Sequence, residues 1–214
     1  MPPANSPILT ELILPGEPER WAAIGFTIVD RCFALEQVIC RVGAPAPGWS
    51  FVGSDSSRRE LCGIETGQRP RSPAASKAAP HVNTATKIDH VVVTSQAPSA
   101  TKRALEGFGL VARGERVVEG HGARRTQAFF WSGGLLIELV GPADQRPDAT
   151  ALAAIWGVTF VVSDLSALQA AAGALLQPAR PAVQAGRQIA TVAGAAQLGI
   201  ELAFMTPHAS AKRA

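Results

Sequence analysis

Two stretches of this chain repeat one plan, and no other feature restricts its fold as tightly. Lys87-Ile88-Asp89-His90-Val91-Val92-Val93 leads on to Leu136-Ile137-Glu138-Leu139-Val140-Gly141-Pro142. Trp156-Gly157-Val158-Thr159-Phe160-Val161-Val162 leads on to Gly199-Ile200-Glu201-Leu202-Ala203-Phe204-Met205. The β-branched opening segments suit buried strands, each pair brackets a helical segment, and an Ile-Glu-Leu triplet lies in each closing strand. A carboxylate inside an apolar strand costs free energy unless it is paired, hydrogen-bonded or bound to a cation. Glu138 and Glu201 therefore mark a polar site.

Within the first copy, Pro98 to Phe108 carries Ala104, Leu105 and Phe108 at helical spacing and ends at Gly107 and Gly109. Glu115 to Glu119 and Arg125 to Trp131 alternate as strands about a turn at Gly120-His121-Gly122, and Leu135 to Val140 closes the unit. In the second copy, Val158 to Val162 is the strand and Asp164 the N-cap of a helix. That helix buries Leu165, Leu168, Ala171, Ala172 and Leu175. Weaker strands at Ala182 to Gln184 and Arg187 to Val192 precede the strong one at Ile200 to Met205. The order strand, helix, three strands occurs twice.

Pro70, Pro73 and Pro80, set among Ser, Ala and Lys, exclude a helix or a central strand, so residues 69–86 read as a linker. Residues 1–68 before it read as a shortened copy. Ile8 to Leu14 is its opening strand and Pro18 to Ile24 its helix; Thr27 to Asp30 and Cys32 to Val42 are strands, and Trp49 to Val52 closes it without a carboxylate. This segment is expected to fold apart from the paired-module domain at 87–207, which ends in a tail at 208–214. The fold class is then α+β: tandem β-α-β-β-β modules pairing curved mixed sheets into a cup, plus the shortened N-terminal module.

Composition narrows the function. The 47% of apolar residues can fill a core. Three cysteines, Cys32, Cys40 and Cys62, with no Cys-x-x-Cys pair, give neither a disulfide framework nor a structural zinc site and read as inert thiols in a reducing cytoplasm. The run Ile8 to Leu14 is broken by Thr10 and Glu11 and has no basic residue before it, which supports neither a signal peptide nor a membrane span. Net charge is +3, but the arginines are scattered, aromatics are 6% and tyrosine is absent, so stacking platforms for nucleic acid are poorly supplied. No Gly-x-Ser-x-Gly motif or phosphate loop occurs.

The repeated plan, with His90 on one opening strand and a Glu on each closing strand, resembles the vicinal oxygen chelate superfamily of glyoxalase, bleomycin-resistance and extradiol dioxygenase proteins. The spacing from opening to closing position is 48 residues in one copy and 42 in the other. The resemblance implies a cup in which one ligand from each opening and each closing strand converge on a divalent metal. His90, Glu138 and Glu201 then fall at three ligand positions and Thr159 at the fourth, where a hydroxyl is a poor donor. It implies a metal-dependent lyase or isomerase acting on a substrate with adjacent oxygens, with Glu201 as the base. Two His and a carboxylate for an extradiol-type iron are not supplied.

Alternatives stay open. His90 is either a ligand or a hydrogen-bonded structural residue, and Glu138 and Glu201 are either ligands or partners of an arginine such as Arg125 or Arg187. Gln127, Phe129 and Trp131 share one face of their strand, lining the cup or packing the core. Arg187 offers a cation at the cup's mouth for an acidic substrate, or belongs to a solvated loop. Gln127, Trp131, Thr159 and Arg187 are the substrate-contact candidates. The competing function is a metal-free protein of the drug-resistance kind that sequesters an aromatic compound against Trp131 or Trp156. The partners expected are a small molecule and a second copy of the chain.

Overall fold

The computed structural model describes residues 6–36, 38–54, 59–69, 79–120, 122–144 and 152–208. The expected turn residue His121 and most of the expected linker lie outside them. The N-terminal strands are β1 (Ile8–Leu14), β2 (Cys32–Leu35), β3 (Val38–Val42), β4 (Gly48–Val52), β5 (Glu60–Leu61) and β6 (Ile64–Gln68), with α1 (Pro18–Ala23) after β1. They form a six-stranded sheet in the order β2-β3-β1-β4-β6-β5. β1 is parallel to β3 and antiparallel to β4, and β4 is parallel to β6. The segment from Trp49 to Val52, expected to close a module, instead opens a second half made of β4, β5 and β6. Cys32 to Val42, expected as one strand, folds back as the β2–β3 hairpin. Thr27 to Asp30 contributes one isolated bridge, Val29 to Cys32. Cys62 and Gly63, both at positive φ, turn β5 into β6.

The paired modules follow the expected order, except that the weak strand expected at Ala182 to Gln184 falls instead at Arg180–Pro181. The first is β7 (Ala85–Ser95), α2 (Pro98–Gly107), β8 (Val111–Gly120), β9 (Ala123–Ser132) and β10 (Leu135–Pro142). The second is β11 (Ala153–Val162), α3 (Leu165–Ala172), β12 (Arg180–Pro181), β13 (Gln188–Thr191) and β14 (Glu201–Met205). They join through the antiparallel β7–β11 pair into one eight-stranded mixed sheet, β12-β13-β14-β11-β7-β10-β9-β8. Each helix connects an opening strand to the rest of its module, and the Asp164 carboxylate accepts from the Ser166 and Ala167 amides at 2.7 and 3.2 Å to start α3.

Alternation decides the faces. In β10, Leu135, Ile137 and Leu139 are buried while Leu136, Glu138 and Val140 are half-buried, so one face of the sheet enters the core and the other forms the cup. The six-stranded sheet divides likewise: Leu12, Leu14, Cys40, Trp49 and Phe51 are buried on its inner face. Both inner faces feed one continuous apolar cluster. Phe26 packs on Phe160 and Phe204 with ring centroids 5.1 and 6.0 Å apart, and Phe51 meets Phe108 at 5.1 Å. Ser132 accepts from the Leu9 amide and donates to the Pro7 carbonyl, each at 2.8 Å. The N-terminal segment, expected to be separable, thus shares the core of the paired modules.

The described end of the expected linker is docked as well. Asn83, wholly buried, donates to the Ile24 carbonyl at 2.9 Å and accepts from the Ala85 amide at 3.0 Å. His81 accepts from the Thr27 amide through Nδ1 at 3.2 Å, and its Nε2 lies 3.1 Å from the Ala34 carbonyl. Cys40 is buried, Cys32 and Cys62 are half-buried, and no disulfide joins them. Among the described residues no helix is long and apolar enough to cross a membrane.

Candidate functional site

The floor of the cup begins with a break in β7. Thr159 of β11 pairs with His90, and Phe160 pairs with Ile88, so Asp89 is an extra residue in β7. This bulge turns two consecutive side chains, Asp89 and His90, toward the cup, where a regular strand would send one into the core. Asp89 then reaches two partners. Its Oδ2 is 2.9 Å from His90 Nδ1 and its Oδ1 accepts from Arg187 Nη2 at 2.7 Å. His90 Nε2 lies 3.1 Å from Thr159 Oγ1.

Protonation follows from this geometry. Burial alone would raise the Asp89 pKa, but hydrogen bonds from His90 and Arg187 and the Arg187 charge outweigh it and hold the carboxyl at about 2. An ionised carboxylate only accepts, so neutral His90 carries its proton on Nδ1 and presents Nε2 as an acceptor, to which Thr159 donates. The line Arg187–Asp89–His90–Thr159 therefore ends in a basic nitrogen beside a hydroxyl.

Arg187 is not at the mouth of the cup. It is 2% exposed and donates from Nε to the Thr206 carbonyl at 2.6 Å, with Nη1 3.2 Å from His208 Nε2. Such a charge is tolerated because Asp89 neutralises it and β14's end satisfies its other donors. Its role is to anchor Asp89, and no arginine salt bridge to Glu138 or Glu201 occurs among the described residues.

A second polar line crosses the next strands. Arg116 Nε donates to Gln127 Oε1 and Gln127 Nε2 donates to Glu138 Oε1, both at 2.7 Å. Burial pushes the Glu138 carboxyl up from its ordinary range, opposed by the Arg116 charge and by His90 whenever its ring is protonated. Gln127 and Trp131 lie on the cup face, paired to Val140 and Leu136, and Trp131 is 39% exposed. Trp156, 53% exposed, stands at the rim on a second bulge in β11. Beside it a cavity of about 240 Å³ is lined by His90, Thr159, Trp156, Arg180, Thr191 and Glu201.

The register does not make the two Ile-Glu-Leu triplets equivalent. His90 pairs with Leu136 and Thr159 with Ala203, so the position matching Glu138 in the second module is Met205. Glu201 lies four residues earlier. An even offset keeps it on the cup face, but at the exposed rim. Of the four positions that resemblance assigns to a metal, two therefore hold a hydroxyl (Thr159) and a thioether (Met205), both weak donors to hard divalent ions. Among the described residues no three His, Cys, Asp or Glu side chains form a metal-holding group. The donor set does not fit a divalent ion held by His90, Glu138 and Glu201.

Sequence reading missed Asp89, because strict alternation from His90 sends its neighbour into the core. The only signal was the Asp-His dipeptide.

No family model matches the chain, and no curated protein matches it. Solved structures do. A triple variant of 4-hydroxymandelate synthase from Streptomyces coelicolor aligns over 97% of this chain and 94% of its own, at 14% identity and a TM-score of 0.61. At that identity the likeness shows the fold alone, paired β-α-β-β-β modules whose sheets form a cup. Methylmalonyl-CoA epimerase from Mycobacterium tuberculosis aligns over 61% of this chain and 94% of its own, at 20% identity and a TM-score of 0.44. A Streptomyces coelicolor methylmalonyl-CoA epimerase variant in complex with 2-nitronate-propionyl-CoA aligns over 58% and 99%, at 19% identity and a TM-score of 0.42.

Proposed function

We propose that the cup is the active site of a small-molecule lyase or isomerase that works by proton transfer between His90 and Glu138. The observation that carries this reading is the line Arg187–Asp89–His90–Thr159 ending at a ligand-sized cavity. A His whose tautomer is fixed by a carboxylate is a general base with Nε2 presented to a ligand. Asp89 stabilises the imidazolium that forms when Nε2 takes a proton, and Arg187 keeps Asp89 ionised. Glu138, whose burial favours its neutral form, supplies a proton from the adjoining strand. Arg180, on the cavity wall, suits a substrate carboxylate or phosphate. Glu201, expected as the base, lines the same cavity at its exposed rim.

A hydrogen-exchange assay tests this without the substrate having been identified. Purified protein, stripped of metals with a chelator, is incubated in D₂O with a panel of small 2-hydroxy acids, 2-oxo acids and acyl thioesters. Solvent deuterium entering a carbon–hydrogen bond is read by proton NMR. Exchange is expected to survive chelation and to fall by roughly 10²–10⁴-fold in His90→Gln, the usual scale of general base catalysis. Loss of exchange on chelation, restored by a divalent ion, would return the reaction to a metal.

The half-exposed Trp131 and Trp156 favour a second reading, a sequestering cup. Ligand quenching of tryptophan fluorescence with no exchange in any panel member supports that reading over the enzyme.

A further inference from the structure

The six-stranded sheet repeats the cup's backbone plan with a different set of charges. Leu9 pairs with Phe51 and Glu11 with Ser50, which makes Thr10 an extra residue in β1, as Asp89 is in β7. The registers β1–β3 and β4–β6 then set Glu11 where β7 has His90, Ser50 where β11 has Thr159, and Arg41 where β10 has Glu138. Glu65 matches Glu201, and Arg69 matches Met205. Even the close strand approach recurs: a Cβ on Gly48 would lie 3.0 Å from the Glu65 carbonyl oxygen, and one on Gly157 3.0 Å from that of Glu201.

At the centre of this second face Glu11 is 2% exposed. Its Oε1 accepts from both Arg41 Nη2 and Arg69 Nη1, and its Oε2 accepts from Ser50 Oγ at 2.9 Å. One arginine neutralises one carboxylate. The second brings another guanidinium to the same oxygen atom, so two like charges are held side by side. Both side chains remain about half exposed, at 47% and 45%. Each guanidinium has five donors in a planar fork and gives one of them to Oε1. Glu65, on the same face, forms no ion pair with either arginine at 4 Å or less among the described residues.

We propose that the outer face of the six-stranded sheet is a second ligand site, in which Arg41 and Arg69, held by Glu11, bind an oxyanion. Glu11 fixes the two forks before the ligand arrives, which removes the entropy of ordering two long side chains. A carboxylate or phosphate laid across them relieves the repulsion between the guanidiniums and accepts bidentate hydrogen bonds. The two cups then differ in chemistry: proton transfer in one, anion recognition in the other.

Isothermal titration of the full-length protein with inorganic phosphate and with benzoate, at constant chloride, tests this and separates a phosphate ligand from a carboxylate. One of the two probes is expected to bind at one site per chain and to raise the melting temperature, since a ligand of the native state alone stabilises it. Arg41→Gln and Arg69→Gln should each weaken binding at least 10-fold, while His90→Gln leaves it unchanged. Glu11→Gln keeps an oxygen that accepts from both guanidiniums and an amide that reaches Ser50, so the forks stay held while the competing negative charge is gone, and it should bind the probe more tightly than the wild type. That variant and the wild-type titration decide the matter should either arginine variant fail to fold. Wild-type protein indifferent to both probes, or equal binding in Glu11→Gln and the arginine variants, overturns the proposal and leaves an Arg–Glu–Arg structural triad.

Discussion

Asp89 and Glu138 are two carboxyls on one sheet face whose surroundings push them in opposite directions. Folding lowers the Asp89 pKa, so its stabilising contribution is present above the unfolded carboxylate range and is lost as pH falls from about 4 toward about 2. A shift of nearly two pH units corresponds to about 2–3 kcal/mol. Asp89→Asn should therefore unfold at lower urea concentration at pH 7, by about that free energy, and the gap from wild type should narrow steadily below pH ~4. A constant gap across that range would mean that lost packing, not charge, is responsible. Folding raises the Glu138 pKa, so ionising Glu138 opposes folding at neutral pH and the opposition fades in acid. Glu138→Gln should melt above wild type at pH 7 and level with it near pH ~4. A lower melting temperature at pH 7 would instead make Glu138 a needed ionic partner.

At the scale of elements, parallel pairing of an opening and a closing strand is the repeated joint, and glycines mark where it is tight. A Cβ on Gly141 would stand 2.3 Å from the Ser95 carbonyl oxygen and 2.8 Å from Pro98, where β7 hands over to α2. Backbone cannot step aside cheaply, so Gly141→Ala should cost about 1–3 kcal/mol. Gly114, in β8, has nothing within 4 Å of its added Cβ, and Gly114→Ala should change stability by no more than roughly 0.5 kcal/mol. Thermal melts of the pair check the assignment, because equal losses would place the strain elsewhere. The bulges are the other elemental device. One extra residue at Asp89 creates the cup's acid–base line, and one at Thr10 creates the opposite sheet's charge cluster.

At the scale of the molecule, two open faces point away from a shared apolar interior. Phe160 and Phe204 are wholly buried on the inner side of the eight-stranded sheet, against Phe26 and, for Phe160, Phe33. Removing residues 1–68 would expose both rings, each worth about 2 kcal/mol of burial. A fragment of 82–214 is expected to be aggregated, or to bind a hydrophobic dye and lack near-ultraviolet circular dichroism. A soluble fragment with a cooperative melt equal to that of the full chain would show that the modules stand alone.

The helices of the paired modules, their strands apart from the one expected at Ala182 to Gln184, the cap at Asp164 and the outward face carrying Gln127, Trp131 and Glu138 were legible in the sequence, because each depends on side-chain periodicity within about ten residues. The bulge at Asp89, the four-residue offset between the Ile-Glu-Leu triplets and the inner position of Arg187 were not. They are fixed by pairing between distant strands, as in the contacts of His90 with Thr159, 69 residues away, and of Asp89 with Arg187, 98 residues away. Local pattern determined the faces of the regular strand positions; cross-strand register, settled only when the two sheets closed on one core, added Asp89 to the cup and decided which of its residues meet.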